Sequence, residues 1–271
     1  MDLITVGDVM VDVHVESPSL KRGGDVHGHV QLQPAGTSAN AAVWAAREGA
    51  SVRVHGRVGD DLAGRLLAGA LRDHGVDPAL VFDEDEATGT MLVVVEAGER
   101  SMVADRGANA RLVSDDLPAA LIAGAVLVSG YLLQQEPTTP VALEALARSR
   151  ATFTAVEAAS WPLVEAFGAE AFVDRTTAAG ADTAFANGRE AKILTGADGR
   201  EAAARLGERY RLACVKLGAA GAVISLEGSI LEMDPGTVEE VDPTGAGDAF
   251  DGVLLAALVS GVDPEEALRR A

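Results

Sequence analysis

The chain has 271 residues, and its 41 acidic and 22 basic side chains give a formal net charge of −19. This length suits one large α/β domain or two smaller ones, and a hydrophobic content of 48% excludes a disordered acidic chain. The negative charge argues against a general binder of nucleic acids or anionic membranes, because such proteins need a basic surface.

Apolar runs and turn residues predict strands and helices that alternate along most of the chain. Strands are expected at 2–7, 26–33, 51–56, 90–96, 100–103, 125–129, 152–156, 183–186, 213–217 and 222–225. Helices are expected at 38–48, 61–74, 139–148, 188–195, 200–210 and 246–260, with a short one opening at Asp263. This alternation predicts a mainly parallel sheet covered by helices on both faces. Segments 26–33 and 90–103 alternate apolar and polar residues, so they are expected to form a small separate sheet.

The single cysteine, Cys214, lies in the apolar run 212–217 and cannot form a disulfide within the chain. We expect a buried strand thiol in a reducing compartment. The first residues lack the charged and then apolar order of a signal peptide, and no apolar run reaches the roughly 18–20 residues of a membrane span. These features predict a cytoplasmic protein.

The most informative motif is Asp242-Pro-Thr-Gly-Ala-Gly-Asp248, which joins a strand-like segment to a long helix. Its glycines let successive N–H groups approach a ligand, and the helix adds the positive end of its dipole, so the segment predicts an anion hole. Asp248 would repel a bound phosphate there, which points to a general base that accepts a proton from an attacking hydroxyl. A glycine-rich helix start with an acidic first turn explains the spacing equally well.

A second motif, 34–42, places small residues before a helix that carries Asn40. The Asn40 amide offers a donor and an acceptor to a polyhydroxy substrate. Taken alone, a loop followed by an ordinary helix start is the simpler explanation. Trp44, in the same helix, is expected in the core.

Together the two motifs resemble the signatures of the ribokinase-like, or PfkB, carbohydrate kinases. Positions that follow the N-terminal signature are Ala35, Gly36, Asn40, Ala42, Gly49 and Gly59, and 242–248 follows the C-terminal one. Gly7-Asp-x-x-x-Asp12, Asn187-x-x-Glu190 and Gly218-x-x-Gly221 also fit the family. The resemblance implies a single three-layer α/β/α ribokinase-like domain over 1–271, with a small β-sheet lid inserted at about 12–34 and 88–106.

The resemblance also implies an ATP-dependent kinase in which Asp248 is the catalytic base. The N–H groups of Gly245, Ala246 and Gly247 would stabilise the transferred phosphoryl group. The residues that match the nucleotide side of the family site are Asn187, Glu190, Lys216, Gly218 and Gly221. Of these, Asn187 and Glu190 would organise Mg²⁺, with Glu190 acting through water. A helix capping box is the alternative for this pair, and both can hold together.

On the sugar side, the resemblance implies that Asp12 and Asn40 bind sugar hydroxyls and that Gly36 flexes as the lid closes. Arg106 follows the second lid segment, where some relatives place a basic residue against an acidic sugar. An exposed arginine at a strand end is the alternative. Exposed lid edges also predict a homodimer through the lid.

These assignments predict an ATP-dependent kinase for a small sugar of the ribose, fructose or 2-keto-3-deoxygluconate type. A nucleoside kinase of the same fold is an alternative, although an aromatic content of 4% offers little material for stacking a purine. Family members usually continue past the position of Ala271 with structure that encloses adenine and contributes to a monovalent-cation site. A sugar- or nucleotide-binding relative with impaired catalysis is therefore a third hypothesis, and K⁺ stays an open cofactor.

Overall fold

The computed structural model describes residues 1–17, 23–96, 99–235 and 244–271, without the side chains of residues 99 and 100. Its strands are β1 (Leu3–Val6), β2 (Met10–Ser17), β3 (His29–Ala35), β4 (Val52–Gly59), β5 (Val76–Asp83), β6 (Thr90–Glu96), β7 (Glu99–Asp105), β8 (Leu121–Ile122), β9 (Ala125–Ser129), β10 (Ser149–Arg150), β11 (Phe153–Glu157), β12 (Thr183–Asn187), β13 (Leu212–Lys216), β14 (Ala222–Leu226) and β15 (Ser229–Met233). Its helices are α1 (Thr37–Arg47), α2 (Leu62–Asp73), α3 (Gly130–Leu133), α4 (Thr139–Arg148), α5 (Trp161–Phe167), α6 (Ala169–Ala178), α7 (Gly188–Thr195), α8 (Gly199–Gly207), α9 (Ala246–Val259) and α10 (Pro264–Arg270).

Nine of the described strands form the central sheet, in the order β15–β14–β13–β12–β11–β9–β1–β4–β5, and β8 pairs with β10 apart from it. All neighbours from β13 to β5 are parallel, and β14 and β15 continue the sheet antiparallel. After β1, the strands β4 and β5 are added on one side of β1, and β9 then pairs with β1 on its other side. The strand order therefore reverses between β1 and β9, and parallel α/β sheets open a ligand crevice at the carboxyl ends of the strands at such a point.

Helices cover both faces of this sheet. One apolar core joins its strands to α4, α6, α7 and α8, and a second joins them to α1, α2, α9 and α10. Strands buried on both sides read as continuous apolar runs, and every residue of β9 is buried. The three-layer α/β/α prediction is confirmed. Within the described ranges, no helix combines the length and the apolar character needed to cross a bilayer.

Four strands form a second, smaller sheet in the order β3–β2–β6–β7, which we call the lid. Leu32, Val13, Leu92 and Val103 lie side by side across these strands. Leu32 is 65% exposed and Val103 is 66% exposed, so one face of the lid presents apolar side chains to solvent. The predicted small sheet is confirmed, although β3 begins at His29 and not at residue 26. The assignment of 1–271 to a single domain, with lid segments at about 12–34 and 88–106, stays a prediction. The turn expected at residues 97–98 lies outside the described residues.

Several elements escaped prediction because pairing and packing stabilise them more than local pattern does. They are β2, β5, β8, β10, β15, α3, α5 and α6. Strand β5 contains Asp77 and Pro78 and still pairs with β4 along its whole length. Strand β15 is an edge strand that is largely exposed.

The prediction that Trp44 lies in the core is wrong. Its side chain is 41% exposed and stacks with the guanidinium of Arg47, 4.6 Å from the ring centroid. Helix α1 instead packs its alanines against α9, and a Cβ at Gly252 would lie 2.2 Å from the carbonyl oxygen of Ala41. Two backbones this close leave room for small side chains only, so the indole ring lies on the outer face.

Candidate active site

A cleft opens at the carboxyl ends of the central strands, where the strand order reverses. Its lining residues are Thr37, Ser38, Ala41, Leu127, Ser129, Glu157, Asp248 and Asp251. The Thr37 hydroxyl donates to the Ser129 hydroxyl at 2.9 Å. The Ser38 hydroxyl is buried and has no hydrogen-bond partner among the described residues. Hydroxyls and carboxylates thus dominate the polar atoms of the cleft, which suits a ligand rich in hydrogen-bond donors.

The first turn of α9 forms one wall of the cleft. Gly245 precedes the helix with φ of 74°, a left-handed conformation that glycine adopts without strain. A Cβ there would lie 3.2 Å from the Asn40 Nδ2 atom, so a larger residue would press on the neighbouring helix. Ala246, Gly247 and Asp248 follow in the first turn, where backbone N–H groups lack partners within the helix. Asp242 and Pro243, the start of the motif, lie outside the described residues.

Asp248 and Asn40 come together in the cleft although 208 residues separate them in sequence. The Asn40 Nδ2 atom donates a hydrogen bond of 2.8 Å to the Asp248 Oδ2 atom. Burial raises the pKa of Asp248 to about 6, against the lowering effects of the Asn40 bond and of the Lys216 charge. The negative charge of Asp12 on the lid raises it further. A carboxylate with this pKa is ionised near neutrality and is still basic enough to accept a proton.

Lys216 ends β13 and points toward α9. Its Nζ atom donates to both carboxylate oxygens of Asp251, at 2.9 and 2.8 Å, and lies 3.3 Å from the carbonyl oxygen of Gly247. Asp251 is 1% exposed, and burial raises its pKa to about 7 in spite of the Lys216 charge. The lysine therefore joins the sheet to the helix turn that carries the predicted anion hole.

Glu157 is the last residue of β11 and lines the cleft beside the two aspartates. Among the described residues, no donor lies within hydrogen-bond distance of its carboxylate. Burial raises the pKa of Glu157 well above its ordinary value, and the nearby carboxylates of Asp248 and Asp251 add to this. Glu157 is therefore a buried acid, and the positive charge of Lys216 opposes the rise of its pKa.

Asn187 and Glu190 form a complete capping box at the start of α7. The Asn187 side chain accepts from the N–H groups of Arg189 and Glu190, and the Glu190 carboxylate accepts from the Asn187 N–H and Nδ2 groups. Glu190 is 3% exposed, and its burial raises its pKa against these hydrogen bonds. Both its oxygens are already bonded, so this arrangement fits a metal contact through water better than direct ligation.

The predicted sugar side contains a buried ion pair. The Arg106 Nη2 atom lies 3.3 Å from the Asp8 Oδ1 atom, and the guanidinium also reaches the Thr138 hydroxyl at 3.4 Å. The Arg106 side chain is only 14% exposed, so the alternative of an exposed arginine at a strand end is wrong. Burial raises the pKa of Asp8, and the Arg106 charge opposes that rise. Nearby, Gly36 has φ of 105°, and a Cβ there would lie 2.3 Å from the carbonyl oxygen of Asp8.

The structure gathers most of the predicted residues but leaves some apart. Asn187 pairs with Lys216 in the register of β12 and β13, so the predicted metal pair lies next to the Lys216 cluster. Gly218 and Gly221 belong to the turn between β13 and β14 and do not line the cleft. Asp12 is 9% exposed and lies 3.8 Å from the His14 Nε2 atom.

Sequence reasoning assigned no role to Tyr131 or Asp251, and it assigned none to Asp8 although Asp8 lies within the Gly7–Asp12 motif. Burial raises the pKa of Tyr131 to about 12, and the carboxylates of Glu157, Asp248 and Asp8 add to the rise. The Tyr131 ring thus lies between Asp8 on one side and the Glu157 and Asp248 carboxylates on the other. A carboxylate in the middle of an apolar helix was the one signal in the sequence that could have identified Asp251.

The described residues contain no cluster of three or more His, Cys, Asp or Glu side chains able to hold a metal ion alone. A divalent ion here would need further ligands, and Mg²⁺ commonly takes them from water and substrate phosphates. Asn187 and Glu190 fit that mode of binding.

Comparison with known proteins gives a consistent result. The model of the pfkB family carbohydrate kinases matches residues 1–271. A 2-dehydro-3-deoxygluconokinase of Thermoproteus tenax is 31% identical, over 99% of this chain and 85% of the relative. A ribokinase of Mus musculus has the same identity and the same coverage of both chains. The solved adenosine kinase from Sinorhizobium meliloti has a TM-score of 0.87 at 24% identity, over 99% of this chain and 90% of that one, and this likeness shows the fold alone.

Proposed function

The chain belongs to the pfkB family of carbohydrate kinases, and we propose that it transfers the γ-phosphoryl group of ATP to a hydroxyl group of a small uncharged sugar, with Asp248 as the general base. The observation that carries this proposal is the hydrogen bond of 2.8 Å between Asn40 and Asp248. It brings a sugar-binding amide and a basic carboxylate together at the start of α9.

Phosphoryl transfer depends mainly on positioning and on stabilising negative charge. The Asn40 amide orients the sugar, whose hydroxyl approaches Asp248. Asp248 accepts the hydroxyl proton as the oxygen attacks the γ-phosphorus, while the bond from that phosphorus to the bridging oxygen of the β-phosphate breaks and ADP leaves. The N–H groups of Gly245, Ala246 and Gly247 stabilise the charge on the transferred group, as in other anion holes.

Mg²⁺ supplies charge neutralisation at the phosphates when it is bound. Asn187 and Glu190 would hold it through water, because their own hydrogen bonds fix both side chains at the start of α7. Activation by K⁺ stays an open question, which assays with and without K⁺ test directly.

Charge favours an uncharged sugar over an acidic one. The described residues that line the cleft include three carboxylates, Glu157, Asp248 and Asp251, and no cation. The two nearby cations already bind carboxylates, since Lys216 is paired with Asp251 and Arg106 with Asp8. A substrate carboxylate would meet like charges, and close like charges strongly disfavour one another.

Two other functions remain as outcomes of the test. A nucleoside kinase of this fold would need a surface for the base, and the aromatic content is 4%. A binding protein without catalysis would not need Asp248 at the start of α9 with a pKa of about 6.

Release of ADP from MgATP should be measured with D-ribose, D-fructose, 2-keto-3-deoxygluconate and adenosine. We expect the highest kcat/KM with an uncharged sugar. The highest value with 2-keto-3-deoxygluconate would overturn the charge argument, and the highest with adenosine would establish a nucleoside kinase. Binding of every compound without ADP release would make the protein a non-catalytic relative.

A dimer through the lid is also part of this proposal. The exposed apolar side chains of Leu32, Leu92 and Val103 support it, since joining two such faces removes them from water. Sedimentation velocity should show a dimer that Leu32→Glu converts to a monomer. A monomer in the unaltered protein would exclude this assembly.

The buried, unpaired thiol of Cys214 supports a cytoplasmic location.

A further inference from the structure

The ammonium group of Lys216 has an acceptor for each of its N–H donors, at the helix turn that carries the predicted anion hole. An ammonium group has three N–H donors. Three acceptors surround Nζ here: the two Asp251 oxygens at 2.9 and 2.8 Å and the Gly247 carbonyl oxygen at 3.3 Å. The Lys216 side chain is 12% exposed and that of Asp251 is 1% exposed. A phosphate that recruited this ammonium would have to break a buried ion pair, so direct binding of nucleotide by Lys216 is disfavoured.

The contacts of Lys216 span two elements that the site requires. Lys216 is fixed at the end of β13, and both of its partners belong to the first two turns of α9. Gly247 is itself one of the anion-hole residues, and a Cβ on it would lie 3.2 Å from Nζ. The lysine therefore sets the distance between the sheet and the helix start that carries Asp248.

The pair also sits inside a cluster of acids. The charged and titratable groups that face it are Glu157 on β11, Glu190 on α7, Asp248 on α9 and Cys214 on β13, with Asp12 of β2 and Tyr131 of α3 interacting with Asp248. The Phe185 ring on β12 lies 5.9 Å from Nζ. Lys216 thus provides positive charge at the centre of a group of carboxylates.

We propose that Lys216 and Asp251 form a positioning pair for the transfer step, which holds the first turn of α9 in place and balances the charge around Asp248. This inference rests on the proposed kinase function. Asp251 lines the cleft, but both its carboxylate oxygens accept hydrogen bonds from Lys216, so we assign neither residue a role on the reacting atoms. Each acts through α9 and through its charge.

A purely structural pair would not need to be ionic. Replacing a buried ion pair with well-packed apolar side chains is often neutral or stabilising, so stability alone does not explain these charges. Burial acts to lower the pKa of Lys216, but the carboxylates of Asp251 and Glu157 raise it above its ordinary value, so the lysine stays charged. Its charge lowers the pKa of Asp248 against the effect of burial.

The test uses two single variants that change the local charge in opposite directions. Lys216→Met removes a positive charge and leaves Asp251 unpaired, so the acid limb of the kcat/KM profile should move to higher pH. Asp251→Asn removes a negative charge and keeps the lysine, so the limb should move to lower pH. We expect each shift to be about one pH unit, the lower end of the effect of a close charge.

Both variants should also lower kcat by about tenfold to a hundredfold, because loosening the turn misplaces the anion hole. The double variant Lys216→Met/Asp251→Asn restores the net charge, so its acid limb should return toward that of the unaltered protein while kcat stays low. A carboxyl-carbon NMR titration of Asp248 gives the same shifts without activity. If Lys216→Met fails to fold, the Asp251→Asn and double variants still test the positioning role of the pair.

Lys192 and Asp198 provide a matched control, since they form an exposed ion pair of 2.9 Å with side chains 61% and 71% exposed. Lys192→Met and Asp198→Asn should leave both the acid limb and kcat unchanged. The positioning role would be overturned if the acid limb of the kcat/KM profile stayed fixed in Lys216→Met and Asp251→Asn, or moved in the same direction in both. An unaltered protein with no kinase activity would instead refute the proposed function, so the two failures can be told apart.

Discussion

Two buried ion pairs support the two ends of the proposed site, the phosphate end and the sugar end, and they differ in how tightly they are held. At the phosphate end, Lys216 reaches Asp251 at 2.8 Å with every ammonium donor matched. At the sugar end, Arg106 reaches Asp8 at 3.3 Å, and its buried Nε atom has no partner among the described residues. The first pair joins a central strand to a long helix, whereas the second lies where the lid meets the main sheet.

The difference has a functional meaning. Groups that stabilise developing charge must be fixed before the reaction, and elements of a packed core fix them best. A lid that closes on a sugar has to move, so the contacts that support it must be weak enough to allow that movement. Changes at the phosphate end should therefore lower kcat, and changes at the sugar end should raise the KM for the sugar.

The largest expected effect is that of Asp248→Asn. It removes the base and keeps the shape of the side chain, so kcat should fall by about 10²- to 10⁴-fold, the usual contribution of general base catalysis. Steady-state ADP release measures it. Asp263→Asn is the control, because Asp263 caps the start of α10 through its side chain and asparagine caps equally well. A kcat within twofold of the unaltered value would exclude Asp248 as the base.

Gly245→Ala tests the anion hole at the same end. Its φ of 74° strains an alanine, and the new Cβ would press on the Asn40 amide at 3.2 Å. We expect kcat to fall by about tenfold to a hundredfold through misplacement of the helix start. Gly261→Ala carries the same strain at φ of 78° with no neighbour within 4 Å. It should cost about 1–2 kcal/mol of stability and no kcat, and equal kinetic losses in the two variants would contradict the anion-hole role.

Arg106→Lys tests the sugar end. The lysine keeps the charge but loses the forked geometry that reaches both Asp8 and Thr138. A lost hydrogen bond between charged groups is worth about 1.5–3 kcal/mol, so the sugar KM should rise by about tenfold or more while the ATP KM stays unchanged. Initial rates over a grid of both substrates separate the two constants. An equal rise in both KM values would show that the ion pair does not belong to the sugar end.

The smallest expected effect is a gain of stability in Glu157→Gln. The pKa of Glu157 is raised in the folded chain, so its ionised form costs stability above that pKa, and the cost vanishes once the pH falls below the unfolded value. Glutamine removes the charge, and the Tm should rise by about 2–4 °C at pH 8, which corresponds to about 1 kcal/mol. The difference in Tm should shrink toward zero at pH 4. A difference independent of pH would point to packing and not to charge.

The sequence predicted the parts of the molecule that local pattern controls. The buried parallel strands, the long helix after the glycine-rich turn and the Asn187–Glu190 capping box all follow from spacing, and the structure contains them. It could not predict which charges become partners. Asp251 stands in an apolar helix and Asp8 lies within the Gly7–Asp12 motif, but only the packing of α9 against β13, and of the lid against β1, gives each of them a buried cation.

Trp44 shows the same limit for apolar residues. A large aromatic ring in an amphipathic helix usually marks the buried face. Here the close approach of α1 and α9, at Ala41 and Gly252, admits only small side chains, and that distance is a property of the packed pair.

The central claim is that ionisation of Asp248 controls phosphoryl transfer. The most direct test is the pH dependence of the single-turnover rate with ATP and the best sugar, in the unaltered protein and in Asp248→Asn. We expect the rate of the unaltered protein to fall on acidification with a midpoint near pH 6, because burial raises the pKa of Asp248 to about 6. The residual rate of Asp248→Asn should lack this limb. The same midpoint in both proteins would contradict the account, because another group would then control the transfer.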